Sequence, residues 1–141
     1  MADRNKAGLT LMELMFVVLI IGILASIATV KYANLYRKAD EGGLQGNLGS
    51  IRSALSIYYA DTDGQYPLAL TVLTVGGKYL AAIPAAKIPN YHLASALTTV
   101  GSSVDDAGGW LYNGDSSHIR FGASVVNCVH TDTKGTVWSA Y

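Results

Sequence analysis

Hydrophobicity along this chain changes its period twice. Residues 9–30, LTLMELMFVVLIIGILASIATV, are apolar on every face and hold one ionisable group, Glu13. A run of this length predicts a helix able to span a bilayer, which takes about 20 residues rising about 1.5 Å each. Only helices and closed barrels satisfy their backbone in lipid, and one segment cannot close a barrel. Past Lys31 the pattern turns amphipathic, with no proline to stop it. Leu44, Leu48, Ile51, Leu55 and Tyr58 recur at the four-three spacing of one helical face, and Arg37, Lys38, Asp40, Glu41 and Arg52 supply polar faces. The expected helix therefore runs from about residue 9 to about residue 60. Gly42, Gly43, Gly46 and Gly49 make its weak stretch, because a mid-helix glycine costs about 1 kcal/mol against alanine. Asp61, Thr62, Asp63 and Gly64 end it, Gly64 being suited to a left-handed backbone.

Residues 61–108 read as a connecting segment. Within it, 68–75 predicts one short helix stopped by Gly76 and Gly77, Pro84 and Pro89 break regular structure, and 102–109 is a polar, glycine-bearing loop. From residue 109 the texture is that of strands. Trp110, Leu111 and Tyr112 precede Asn113 and Gly114, the strongest short hairpin signal, and His118 to Phe121 is the expected return strand. Strands over 125–131 and 136–141 complete an antiparallel meander over about 109–141. Trp110 and Trp138 are its expected core anchors. The fold class is α+β: one long N-terminal helix whose C-terminal half packs on a small antiparallel β-sheet.

Charge and composition narrow the chemistry. Among 141 residues, ten basic side chains balance ten acidic ones, and no basic stripe appears, so nucleic acid is not an expected partner. The single cysteine, Cys128, excludes an internal disulfide and reads as a half-buried thiol. Cys128, His130 and Asp132 alternate, so on a strand they share one face. That suggests a metal ion or a thiol nucleophile. A metal wants three or four ligands with ordered support, and a nucleophile wants a base and an orienting group. Neither is visible in the sequence, so a half-exposed strand entering a turn is the preferred reading, with no catalytic and no metal-ligating residue and no enzyme activity expected. Asp105, Asp106 and Asp115 are scattered acids that leave calcium open as a ligand; no other cofactor is expected. Tyr32 and Tyr36, one turn apart just past the apolar run, fit an interfacial aromatic belt.

Glu13 remains to be explained. A carboxylate in a spanning helix costs about 2.5–3.5 kcal/mol near the centre and less toward an end, and such a group is kept where it finds a partner. Residues 1–8, with Asp3, Arg4 and Lys6, read as a short charged leader. Ala25, Ser26, Ile27 and Ala28 offer a small-residue cleavage site after the run, but the context of Gly8, Leu9 and Glu13 favours a cut before it.

The spelling AGLTLMEL, residues 7–14, resembles the type IV pilins and type II secretion pseudopilins. The likeness is close from Lys6 to about residue 30 and becomes a general pattern to about residue 67. It implies that a prepilin peptidase cuts between Gly8 and Leu9 and methylates the new Leu9 amine, and that Glu13 is the acid that pairs with the amine of a neighbouring subunit. Leu9 stands where the family usually has phenylalanine, Met12 where isoleucine is commoner, and Val30 where most members have proline. The domains that follow are a cleaved leader (1–8), a transmembrane and filament-core helix (9–30), and a periplasmic or extracellular pilin domain (31–141). The implied function is that of a structural subunit of a type IV pilus-like filament, held in the bacterial inner membrane before assembly and at the periplasm or cell surface after it. The alternatives are a G-like type II secretion pseudopilin and a membrane-anchored minor pilin acting as a binding module. The implied partners are other pilin copies, the prepilin peptidase, and an inner-membrane platform with its assembly ATPase. A connecting loop over residues 79–84 leans toward the pseudopilins. The calcium-binding loop that the resemblance implies for major pseudopilins has no match in residues 128–141.

Overall fold

The computed structural model describes residues 10–141, the side chain of Val30 excepted; Gly8 and Leu9 lie outside the described residues. The chain divides into two compact units, one ending at Tyr36 and one comprising Arg37–Tyr141. A single helix, α1, covers Leu11–Asp61, and its backbone stays helical through residue 30 and through the four glycines.

Thr10 starts the helix. Its hydroxyl accepts the Glu13 backbone N–H at 3.2 Å, and its carbonyl accepts the first helical bond from Leu14 N, also at 3.2 Å. Thr10 thus acts as an N-cap and satisfies one of the donors that every helix start leaves open. In the first unit the large apolar side chains from Leu11 to Ile27 are 48–78% exposed. Its hydroxyls turn inward: Ser26 Oγ donates to Ile23 O at 2.7 Å, and Thr29 Oγ1 to Ala25 O at 2.9 Å. Back-bonding of this kind leaves no bare hydroxyl on an apolar surface.

The second unit holds the core. Leu44, Leu48, Ile51 and Leu55 are buried, as their spacing predicts, against Leu70, Leu73, Ile88, Trp110, Tyr112, Val126 and Trp138. Each such side chain contributes about 1.5–3 kcal/mol on burial. Polar contacts fix the helix against sliding. Arg52 Nη2 donates to Ser124 O at 2.9 Å and to Tyr141 O at 2.6 Å. Glu41 accepts the Thr133 N–H at 3.0 Å, the Thr133 hydroxyl, and Arg37 Nε at 3.2 Å. The helix ends where Gly64 takes φ +85° and its N–H reaches Tyr59 O at 3.0 Å, a left-handed exit open to glycine at little cost.

Beyond the helix the α+β class holds; the expected strand at 110–112 is present and that over 125–131 is present in part, while the others fall differently from the sequence pattern. A 3-10 helix covers Leu70–Gly77, where a short helix over 68–75 is expected. Strands β1 (Ala86–Ile88) and β2 (His92–Ser95) form an antiparallel pair, and β3 (Thr98–Val100) pairs parallel with β4 (Trp110–Tyr112). These first three strands lie in the stretch read as a connection; at three or four residues each they are too short to show a period. The second sheet is mixed, because β4 also pairs antiparallel with β5 (Ser124–Val126), Trp110 opposite Val126.

The expected tight turn at Asn113 and Gly114 gives way to a longer connection over residues 113–123, and 118–121 is turn, not strand. Local side chains capture this backbone: Asn113 Oδ1 accepts Asp115 N, Asp115 Oδ1 accepts Ser117 N, and the Asn113 amide meets His118 Nδ1 at 2.8 Å. Bonds of this type compete with a strand ladder for the same N–H groups. Gly114 is needed for another reason, since a Cβ there would stand 2.1 Å from Leu68 O. The chain's last expected strand is a short 3-10 turn over Trp138–Ala140, joined to the rest by a bridge between Thr131 and Val137.

Candidate functional site

Two regions carry chemistry. The first is the start of α1. Glu13 is the one charged side chain between residues 10 and 30, it lies in the first turn, and its carboxylate takes no partner among the described residues. A negative charge is favoured at a helix N-terminus, where unpaired N–H groups and the helix dipole create positive potential. The spelling Thr10-x-x-Glu13 is that of a capping box. Periodicity alone misses Thr10; the three-residue offset from threonine to glutamate is the signal that finds it. The helix as a whole is long and apolar enough to cross a membrane, with a mean hydropathy of 2.6 over its most apolar stretch.

The second region lies in the sheet unit, and sequence alternation names only half of it. Cys128 and His130 do sit together, Sγ to Nδ1 at 3.4 Å. Asp132 turns away and builds the next turn, accepting Lys134 N at 2.8 Å, Thr136 N at 2.9 Å and the Tyr141 hydroxyl. Residues 127–130 do not continue β5, so strict alternation of faces fails there. The places beside Cys128 and His130 are taken by His92 from β2 and Asp106 from the loop after β3. His92 Nε2 lies 3.2 Å from Asp106 Oδ1, and His130 Nδ1 lies 3.4 Å from the same oxygen. Tyr91 stacks on the His130 ring at 4.0 Å. Burial pushes the Cys128 thiol up to about 11, so without a ligand it stays protonated and is a poor nucleophile. The Asp106 carboxyl is held below the usual range, first by the Val129 N–H and then, against burial, by His92. Asp105 Oδ1 accepts Ala107 N and Asn127 Nδ2, and Asp115 Oδ1 accepts Ser117 N.

An apolar helix exposed on every face, with one acid in its capped first turn, defines a class of chains. Residues 3–29 match the prokaryotic N-terminal methylation motif. More particularly, the chain is similar to fimbrial protein EcpC of Eikenella corrodens, 36% identical over 87 residues that cover 59% of this chain and 56% of that protein. It is 34% identical over 67 residues to type II secretion system core protein G of Aeromonas hydrophila, covering 48% of this chain and 46% of that protein. The core protein G of Dickeya chrysanthemi is 32% identical over 65 residues, 46% of this chain and 42% of that protein. The chain thus spans about half the length of the curated relatives it matches. No solved structure gives a significant match. The resemblance to type IV pilins and type II secretion pseudopilins is borne out by these relatives and by the motif.

Proposed function

We propose that this chain is a structural subunit of a type IV pilus-like filament. It is made with residues 1–8 as a leader, cut between Gly8 and Leu9 by a prepilin peptidase, and methylated at the Leu9 amine. It waits in the inner membrane as a single-pass helix, and a platform with its ATPase draws it into a filament of like subunits at the periplasm or cell surface. The observation that carries this reading is the apolar surface of α1, whose large side chains from Leu11 to Ile27 are at least 48% exposed. Lipid covers such a surface before assembly and neighbouring helices cover it afterwards. Glu13 then pairs with the Leu9 amine of a neighbour. The role of a type II secretion pseudopilin is the second reading, favoured by the core protein G relatives.

Intact mass and N-terminal sequencing of membrane and filament fractions test the proposal. The expected mature chain begins at Leu9 with one methyl group on its amine. A mature start after Ala28, or an uncleaved chain within assembled filaments, overturns it.

A further inference from the structure

We propose that His92, Asp106, Cys128 and His130 form a binding site for a divalent first-row transition metal, zinc foremost, that ties β2, the loop after β3 and the segment after β5 together. One ligand atom from each of the four residues lies within 4.8 Å of every other. Ligands at about 2.0–2.3 Å from a tetrahedral zinc are themselves about 3.3–3.8 Å apart. Three contacts already fall close to that edge length: Cys128 Sγ to His130 Nδ1 at 3.4 Å, His130 Nδ1 to Asp106 Oδ1 at 3.4 Å, and His92 Nε2 to Asp106 Oδ1 at 3.2 Å. The remaining pairs lie within 4.8 Å and need to close by about an ångström.

The donor set selects the ion. Two imidazoles, a thiolate and a carboxylate suit zinc and its neighbours, whereas calcium and magnesium want oxygen alone. The four ligand atoms gather within 4.8 Å of one another, and His130 Nδ1 faces both Cys128 and Asp106. A cation takes all four lone pairs at once. On binding, the Cys128 S–H bond breaks, its proton leaves to solvent, and Sγ donates the freed pair to the metal.

The cradle is held independently of any ion. Asn127, fully buried, clamps the loop: its Nδ2 donates to Asp105 Oδ1, and its Oδ1 accepts Asp105 N at 3.1 Å. Gly108 N donates to Asn127 O at 3.0 Å, Asn127 N to Gly109 O at 3.1 Å, and Val129 N to Asp106 Oδ1 at 3.0 Å. Gly108, at φ +76°, lets the loop close on His92, since a Cβ there would come within 3.2 Å of the imidazole. Outer contacts that orient ligands in this way are what a metal site requires beyond its donors. The site needs no filament, so its fate is separate from that of the assembly proposal.

The full chain, made without a histidine tag and purified in detergent micelles, is stripped with a chelator and titrated with zinc chloride and cobalt chloride. The expected result is one zinc per chain and a cobalt spectrum with sulfur-to-metal charge transfer and intense tetrahedral ligand-field bands. Cys128→Ser is expected to abolish the charge transfer, and His92→Gln or His130→Gln to weaken zinc by at least about ten-fold, the scale on which such sites respond. His118→Gln, outside the cluster, leaves binding unchanged. Zinc is also expected to slow alkylation of Cys128 in the unmutated chain by at least about ten-fold, since coordination withdraws the thiolate. That readout stands even if a variant fails to fold. Zinc below one equivalent, a cobalt spectrum without sulfur, or an alkylation rate indifferent to zinc overturns the proposal.

Discussion

Replacing Gly46 with alanine should make this protein more stable, and the amount follows from where the glycine points. A Cβ built at Gly42, Gly43, Gly46 or Gly49 meets nothing within 4 Å. All four lie on the exposed side of α1, away from the buried positions Leu44, Leu48 and Ile51. No clash opposes the change and no cavity rewards it. What remains is the intrinsic difference between glycine and alanine in a helix, about 0.8–1.0 kcal/mol per site, part of it arising from the freer unfolded chain. Four substitutions together should approach roughly 3–4 kcal/mol, provided they act independently. For a unit of this size, 1 kcal/mol moves the melting temperature by about 4–8 °C. Thermal unfolding followed by circular dichroism, on the full chain in micelles, reads the shift directly. Gly46→Ala should raise the midpoint by several degrees, and the fourfold variant by more. The same reasoning fixes where the unmutated helix is weakest: amides over residues 42–49 should exchange with solvent faster than those over residues 29–31, where the helix runs on without the proline expected from the resemblance. A midpoint that is unchanged or lowered in Gly46→Ala, or faster exchange at 29–31, refutes the argument from local propensity.

Other perturbations separate assembly from folding. Glu13→Ala should leave insertion and cleavage intact, since it removes a charge from the apolar segment, yet reduce filament yield more than Glu13→Asp does; normal yield from the alanine variant, by sheared-filament assay, contradicts the pairing with Leu9. Glu41→Ala leaves the Thr133 N–H without its acceptor and Arg37 without its partner, and should cost about 1–3 kcal/mol in chemical denaturation. At Asp132, burial favours the neutral acid, but the Tyr141 hydroxyl and the Thr136 and Lys134 N–H groups outweigh it and hold the carboxyl below its ordinary range. A depressed folded value means stability that is present above the unfolded value of about 3.9 and lost as pH falls through the folded one. The difference in melting temperature between the unmutated chain and Asp132→Asn should therefore be largest at neutral pH and shrink below about pH 4; a gap that does not change with pH refutes it.

The sequence is legible where structure is local. Leu44, Leu48, Ile51 and Leu55 declare their face because a helix repeats it four times, and Gly64 declares the exit because few other residues accept its backbone. Within the sheets, Trp110–Tyr112 is legible as β4 and 125–131 in part as β5, whereas β1 to β3 and the pairings are not, because those strands are three or four residues long and their pairing is settled at a distance. The Thr98 to Trp110 parallel pairing has no local signature at all. The metal-binding cluster is half legible for the same reason. Cys128 and His130 stand two residues apart, whereas His92 and Asp106 reach them across 36 and 22 residues of chain from Cys128. Asp132 misleads because a carboxylate that follows the pattern of a strand is just as able to cap a turn, and here three N–H and O–H groups hold it there.

The absence of buried side chains from Leu11 to Ile27 has a consequence for tolerance to mutation. One continuous helix answers to two kinds of selection. Substitutions between residues 44 and 55 are filtered inside the subunit that carries them, by whether its core closes. Substitutions between residues 11 and 27 pass that filter unseen, because the side chains there are exposed. On the proposed function they are judged only by whatever surrounds the helix: lipid first, then other copies of the chain. A random library over the first segment should give folded chains throughout and lose members only on insertion or polymerisation. The same library over the second should lose members before the membrane matters.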